Sequence, residues 1–256
     1  MRPLPREADE EYHFLLSLLR ESSTFVFPEY FAFHRSLKEM SEFVDYSAFA
    51  FEWLKRLSMA DQARETLLIG GSLLFLKDGK LLNATPVFFE GQLLGLYYKR
   101  RLFGHEHGSV TEGQKPLVVE NPATQKKWGI LICADVFLKD AFTAYENCDY
   151  IAVPTSSPWR PHDEDTAREQ RDKDIFVKGA RDSRSMILKC CSIGSVGTHN
   201  PEGGPPPRLQ GRSLIANAGG VLERAPSIYW EGILQIDTAE QKTKTLYRET
   251  IAPHAE

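Results

Sequence analysis

Long apolar runs are missing from this sequence. None approaches the roughly 18–20 residues that a bilayer-spanning helix requires. The start, Met1-Arg2-Pro3-Leu4-Pro5-Arg6-Glu7-Ala8-Asp9-Glu10, turns acidic where a secretory leader needs an apolar stretch. No membrane partner is expected. Cysteine is also scarce: there are four, Cys133, Cys148, Cys190 and Cys191, two of them adjacent and none in a CxxC spacing. A disulfide scaffold and a zinc site are therefore not expected, and a reducing cytoplasm is the simplest location. Charge of one sign is lacking too, with 31 basic against 35 acidic residues and a net charge of −4. Nothing in that balance points to nucleic acid or an anionic membrane surface. There is no internal repeat and no low-complexity tract.

What is present is a globular composition: 256 residues, 42% hydrophobic and 26% charged. A chain of this length can bury a large core. Hydrophobic spacing predicts a helix over about 7–21, with Tyr12, Leu15, Leu16 and Leu19 on one face, and a second over about 43–59. Thr24-Phe25-Val26-Phe27 reads as a short strand stopped by Pro28, and 67–76 as a longer one. The Asp78-Gly79 turn leads into strands around 84–89 and 93–98. Further on, strands are expected at 127–132, 150–153, 186–191 and 232–236, and helices at 138–147 and 165–185. A hairpin is expected around Asn217, between 214–216 and 219–222. Hairpins and strand–helix–strand units occur together with no linker, so one α/β domain over residues 1–256 is the reading.

Cys133 closes the apolar run Trp128-Gly129-Ile130-Leu131-Ile132 and stands before an expected helix. A helix N-terminus offers unpaired N–H groups and partial positive charge, which lower a thiol pKa and can hold an oxyanion. A buried core cysteine is the ordinary alternative. Two other segments bear on the choice. Phe25-Val26-Phe27-Pro28-Glu29-Tyr30 places a carboxylate directly after a strand. The run from Leu96 to Glu106 places Lys99 just past another strand, with Glu106 seven positions on. Taken singly, each charge has a solvated explanation.

In the order Glu, Lys, Glu, Cys, these residues resemble the nitrilase superfamily of carbon–nitrogen hydrolases. The resemblance rests on Phe27-Pro28-Glu29, on Tyr-x-Lys-x-x-Leu-Phe-x-x-Glu at 97–106, and on Gly-Ile-Leu-Ile-Cys-x-Asp at 129–135. Supporting stretches include Asp149–Thr155, Lys178-Gly179-Ala180-Arg181 and Gly211–Ile215. The resemblance implies a four-layer αββα sandwich with two mixed β-sheets, paired as a homodimer or assembled into a higher homo-oligomer. It implies no metal and no organic cofactor. Cys133 would be the nucleophile, Glu29 the general base, Lys99 the oxyanion donor with the Ala134 N–H, and Glu106 the support of Lys99. Ala134, Thr155, Trp159 and Tyr30 are the candidates for the substrate pocket. The implied substrate is a small linear amide or an N-carbamoyl compound, with a nitrile less favoured.

The chain also departs from that pattern. The family's first strand has no counterpart beyond the short Arg2–Pro5 segment, which would leave a sheet edge unpaired. Ala134 stands where an aromatic residue is usual. Phe137 stands where an arginine is usual, so Asp135 needs another partner. Two other classes of function remain open on sequence alone. One is a catalytically silent binding or scaffold relative; the other is an acyltransferase that resolves the same thioester with an amine. His105 and His107 flank Glu106 but lack a third ligand for a metal. Asn83-Ala84-Thr85 fits a glycosylation acceptor without a secretory signal to support it.

Overall fold

The computed structural model describes residues 4–33, 40–158, 164–194, 208–225, 230–240 and 242–250. Helix α1 (Glu10–Arg20) buries Tyr12, Leu16 and Leu19 on one stripe, as their spacing requires. Helix α2 (Met40–Met59) buries Ala50, Trp53, Leu54 and Leu57 in the same way. Both helices pack on a five-stranded sheet. Its strands are β1 (Thr24–Val26), β2 (Leu67–Ile69), β3 (Leu73–Lys77), β4 (Lys80–Phe89) and β5 (Gln92–Tyr98). β1 and β2 run parallel, and the rest are antiparallel to their neighbours.

A six-stranded sheet follows in the order β11-β10-β9-β8-β7-β6. Its strands are β6 (Leu117–Glu120), β7 (Lys127–Ile130), β8 (Tyr150–Thr155), β9 (Met186–Cys191), β10 (Leu214–Asn217) and β11 (Gly220–Arg224). β7, β8 and β9 are parallel, so their carboxyl ends lie along one edge. α3 (Asp165–Asp172) runs through a π-helical turn, Lys173–Val177, into α4 (Lys178–Ser183). β12 (Trp230–Asp237) and β13 (Lys242–Thr250) form a separate hairpin.

Alternation along the strands builds three apolar clusters. Leu68 and Phe88 face α1 and α2. Leu67, Ile69 and Val87 face the other way and meet Trp128, Ile130 and Ala152 of the second sheet. Ile151, Val153 and Ile187 face Phe176, Val177 and Ala180 of the third helical segment. Both sheets are thus apolar on both faces, which is the mixed α/β arrangement expected, with helices outside and a sheet–sheet core within.

Several expectations are corrected. The single strand over 67–76 is two strands. Gly71 has φ +63°, and a Cβ there would collide with the Pro28 carbonyl. The two halves then pair with opposite ends of β4, through Leu68↔Phe88 and Leu73↔Ala84. The helix expected over 138–147 is absent. In its place are 3-10 turns at Cys133–Phe137 and Thr143–Tyr145. Ala141, Phe142 and Tyr145 are buried there, a spacing that would also suit a helix, but the backbone makes only the short 3-10 turn. β6 and β13 were not expected. The concern over a bare edge falls on β1, a three-residue strand that pairs with β2 alone among the described residues; there the Cys190 thiol donates to the Val26 carbonyl at 3.3 Å. No helix among the described residues is long and apolar enough to cross a membrane.

Candidate active site

Glu29 and Lys99 lie just past strand ends and Glu106 closes the 3-10 turn Gly104–Glu106, and the fold brings them together. Glu29 follows β1 and pairs in register with Ser72 after β2. Lys99 follows β5. Cys133 follows β7, and Ser156 follows β8. Sites in α/β sheets gather at such carboxyl ends. Glu29, Lys99 and Glu106 are 1%, 2% and 1% exposed, so their charges must be compensated within the protein.

They are compensated by one another. The Lys99 Nζ donates to Glu29 Oε1 at 2.8 Å and to Glu106 Oε2 at 2.7 Å. The second oxygen of Glu29 accepts the Ser156 N–H at 2.8 Å. The Glu106 carboxylate also takes the Phe103 N–H at 2.9 Å and the Tyr30 hydroxyl at 2.7 Å. Asn83, on β4, aims its side-chain amide at Glu29 Oε1 (3.2 Å), Glu106 Oε1 (2.7 Å) and the Tyr30 oxygen (2.9 Å). Below this, the Ser192 hydroxyl donates to the Glu29 carbonyl at 2.6 Å. Both side chain and backbone of Glu29 are therefore fixed.

The electrostatics follow from burial and pairing. Burial pulls the Lys99 pKa down, but Glu29, Cys133 and Glu106 more than reverse it, and the ammonium stays charged. Burial pushes the Glu106 carboxyl up, and Lys99 outweighs that, leaving it below the usual range. Cys133 behaves against expectation. Burial first and the Glu29 carboxylate second push its thiol up to about 12, against the pull of Lys99 and of hydrogen bonds from Ser156 and Ser157. The 3-10 turn that starts at Cys133 supplies no long helix dipole to lower it. The resting sulfur is a neutral thiol, and a base must take its proton.

Cys133 also carries φ +45°, a left-handed conformation that costs about 1–2 kcal/mol for a residue with a Cβ. That sharp turn ends the strand and lifts the side chain into the cluster. The Ser157 hydroxyl lies 3.8 Å from the sulfur. The first N–H groups of such a turn have no partner within it, which leaves the Ala134 N–H position open to an incoming oxygen.

Asp135 finds the partners that Phe137 denies it. Its carboxylate accepts hydrogens from the Tyr97 hydroxyl (2.8 Å) and from the backbone of Arg100 (3.0 Å), Arg101 (2.7 Å) and Ile132 (2.9 Å). Phe137 is exposed and lies under the Arg101 guanidinium.

Of the pocket candidates, Ala134 is buried beside Cys133. The Thr155 hydroxyl turns back to the Val153 carbonyl at 3.0 Å, within its own strand. The Tyr30 hydroxyl is engaged by Glu106 and Asn83 inside the carboxylate network. Trp159 lies outside the described residues. Asn83 is fully buried, which rules out glycosylation there. Asn83, Ser156 and Ser157 are the residues that sequence reasoning missed. A groove of about 630 Å³ beside Lys173, Arg181 and Gly219 lies on the helical side and contains none of these groups.

Comparison with known proteins fits this geometry. A family model described as carbon-nitrogen hydrolase matches residues 20–170. No curated protein matches in sequence. Among solved structures, a glutamine-dependent NAD+ synthetase from Acinetobacter baumannii is 19% identical with a TM-score of 0.70, covering 97% of this chain. The chain spans only 46% of that protein's length. Nit3 of Saccharomyces cerevisiae, a nitrilase superfamily member, is 18% identical with a TM-score of 0.65, over 94% of this chain and 83% of that one. An amidase from Nesterenkonia sp. AN1, holding the acetamide moiety of fluoroacetamide on its active-site cysteine, is 16% identical with a TM-score of 0.62, over 88% of this chain and 83% of that one. The chain belongs to the carbon-nitrogen hydrolase family, enzymes built on the nitrilase fold.

Proposed function

We propose that the protein hydrolyses a small linear amide or N-carbamoyl compound through a thioester on Cys133. The observation that carries this reading is the placement of Glu29. One of its oxygens holds Lys99, and the other accepts the N–H of Ser156, whose neighbour Ser157 lies 3.8 Å from the Cys133 sulfur. Glu29 takes the thiol proton as Cys133 attacks the carbonyl carbon. The oxyanion forms against the Lys99 ammonium and the Ala134 N–H. Collapse breaks the carbon–nitrogen bond, and the leaving amine takes the proton from Glu29. Water then loses a proton to Glu29 and attacks the thioester, freeing the acid and the thiol. Glu106 keeps Lys99 charged and in place. No step needs a metal or an organic cofactor.

The test is ammonia release from a panel of propionamide, glutamine, N-carbamoyl-β-alanine and propionitrile. The amide or the carbamoyl compound should release ammonia, and Cys133→Ala should abolish it. Release that survives Cys133→Ala would refute the reading. Glutamine is in the panel for a second reading, an amidase unit that supplies ammonia from glutamine. The observation favouring it is the fit of 97% of this chain within less than half of the glutamine-dependent synthetase. Turnover confined to glutamine would select it.

A further inference from the structure

We propose that Asp135 is a positioning residue for this reaction, tying the backbone beside Lys99 to the backbone beside Cys133 and so setting the oxyanion donor against the nucleophile. The proposal rests on the roles given above to Cys133 and Lys99. Asp135 is fully buried. Its Oδ1 accepts the N–H groups of Arg100 and Arg101, the two residues after Lys99. Its Oδ2 accepts the N–H of Ile132, the residue before Cys133, and the hydroxyl of Tyr97, two residues before Lys99. β5 belongs to one sheet and β7 to the other, so this carboxylate bridges the two strand ends that deliver the reacting groups.

Only the ionised carboxylate can do this. It has lone pairs for all four donors, and backbone N–H groups fix its position with direction as well as charge. An amide presents hydrogens on one side. It can keep the Lys99 side or the Cys133 side, not both. No ion pair holds Asp135 among the described residues, since the Arg100 guanidinium goes to Asp140 at 2.7 Å. The carboxylate is therefore spent on hydrogen bonds to the two strand ends.

Burial lifts the Asp135 carboxyl to about 6, against the pull of hydrogen bonds from Ile132, Tyr97 and Arg101 and of the Lys99 charge. The titratable groups facing it are Tyr97, Lys99 and Arg100 from the β5 side and Tyr145 from the turn after Cys133. All four are held above their ordinary values. Each therefore keeps its proton through the range in which Asp135 titrates. Among the described carboxylates the Tyr97 hydroxyl donates to Asp135 alone, so Tyr97→Phe perturbs this group selectively.

The experiment follows hydrolysis of p-nitrophenyl acetate, an activated ester whose acetyl group passes to the Cys133 sulfur as p-nitrophenolate leaves. Rates are measured across pH for the wild type, Asp135→Asn, Tyr97→Phe and the double variant. Asp135→Asn should lose about fifty-fold in kcat or more, with KM within about threefold, because a small misplacement of reacting groups is costly. Tyr97→Phe should move the acid limb of kcat/KM up by about half a pH unit, since it removes a donor to the ionised form. The double variant should be no slower than Asp135→Asn. A kcat for Asp135→Asn within threefold of wild type, or an unmoved acid limb in Tyr97→Phe, overturns the proposal. If Asp135→Asn fails to fold, the acid limb of Tyr97→Phe decides. Cys133→Ala separates the two levels. If it keeps turnover, the nucleophile assignment fails. If it is silent while the Asp135 and Tyr97 variants are normal, the nucleophile stands and the tie falls.

Discussion

The Lys99 ammonium lies 2.8 Å from Glu29 and 2.7 Å from Glu106, with all three side chains shut away from water. One cation between two carboxylates is a net negative cluster, and the nearby thiol feels it. Burial and the Glu29 carboxylate hold the Cys133 thiol protonated.

Removing the central cation strands two buried carboxylates. Lys99→Met should abolish hydrolysis and destabilise the fold by about 3–5 kcal/mol, the usual cost of breaking a buried pair. Calorimetry should show a Tm lower by about 10 °C. A variant as stable as wild type would mean that the charges are less buried than the structure describes.

Glu29→Gln should separate alkylation from hydrolysis. The carboxylate is the second largest cause of the raised thiol pKa, after burial. Deleting its charge lowers that pKa, so more thiolate is present at any given alkaline pH and iodoacetamide labels Cys133 faster. Hydrolysis should vanish, because no base remains to activate water. Slower labelling together with lost hydrolysis would contradict this account of the thiol.

Asn83→Ala removes one donor from each carboxylate. Glu106 is held below its ordinary value in part by this amide. A carboxyl with a depressed folded-state pKa contributes stability that is present above its unfolded value and is lost as pH falls through the folded one. In Asn83→Ala the folded value rises, so the acid unfolding midpoint should move to higher pH. Turnover should fall by about tenfold. An unchanged midpoint would mean that the amide does not hold Glu106.

Asp135 has the opposite sign. Its folded-state pKa is raised from 3.8 to about 6, so the native state holds the proton more tightly than the unfolded chain. Stability from this group is fully present below about pH 4 and is lost as pH rises through 6. Asp135→Asn removes that dependence. The Tm of the variant minus that of the wild type should increase between about pH 4 and 7. A flat difference would show that Asp135 does not titrate there.

The charges at strand ends were legible because an isolated Glu or Lys after an apolar run is conspicuous. Singly, Glu29, Lys99 and Cys133 each have an ordinary explanation, and it is the resemblance to the nitrilase superfamily that joins them and adds Glu106. The residues that hold them were not legible. Asn83 is one polar residue inside a long strand, and its role depends on a β4 register that sequence does not disclose. Ser156 acts through its backbone N–H, which every residue except proline possesses. The stretch 138–147 reads as a helix because its buried Ala141, Phe142 and Tyr145 keep a helical spacing, yet the backbone forms only a 3-10 turn at Thr143–Tyr145. The break at Gly70-Gly71 hid inside a run of apolar residues that looked continuous.

The central claim is that Cys133 carries the acyl group. Intact-mass and peptide analysis of the protein, quenched during turnover of p-nitrophenyl acetate, tests it directly. The account predicts one added acetyl group, placed on Cys133, and none on Cys133→Ala. An acetyl group on Cys148, Cys190 or Cys191 instead, or undiminished turnover in Cys133→Ala, would contradict it.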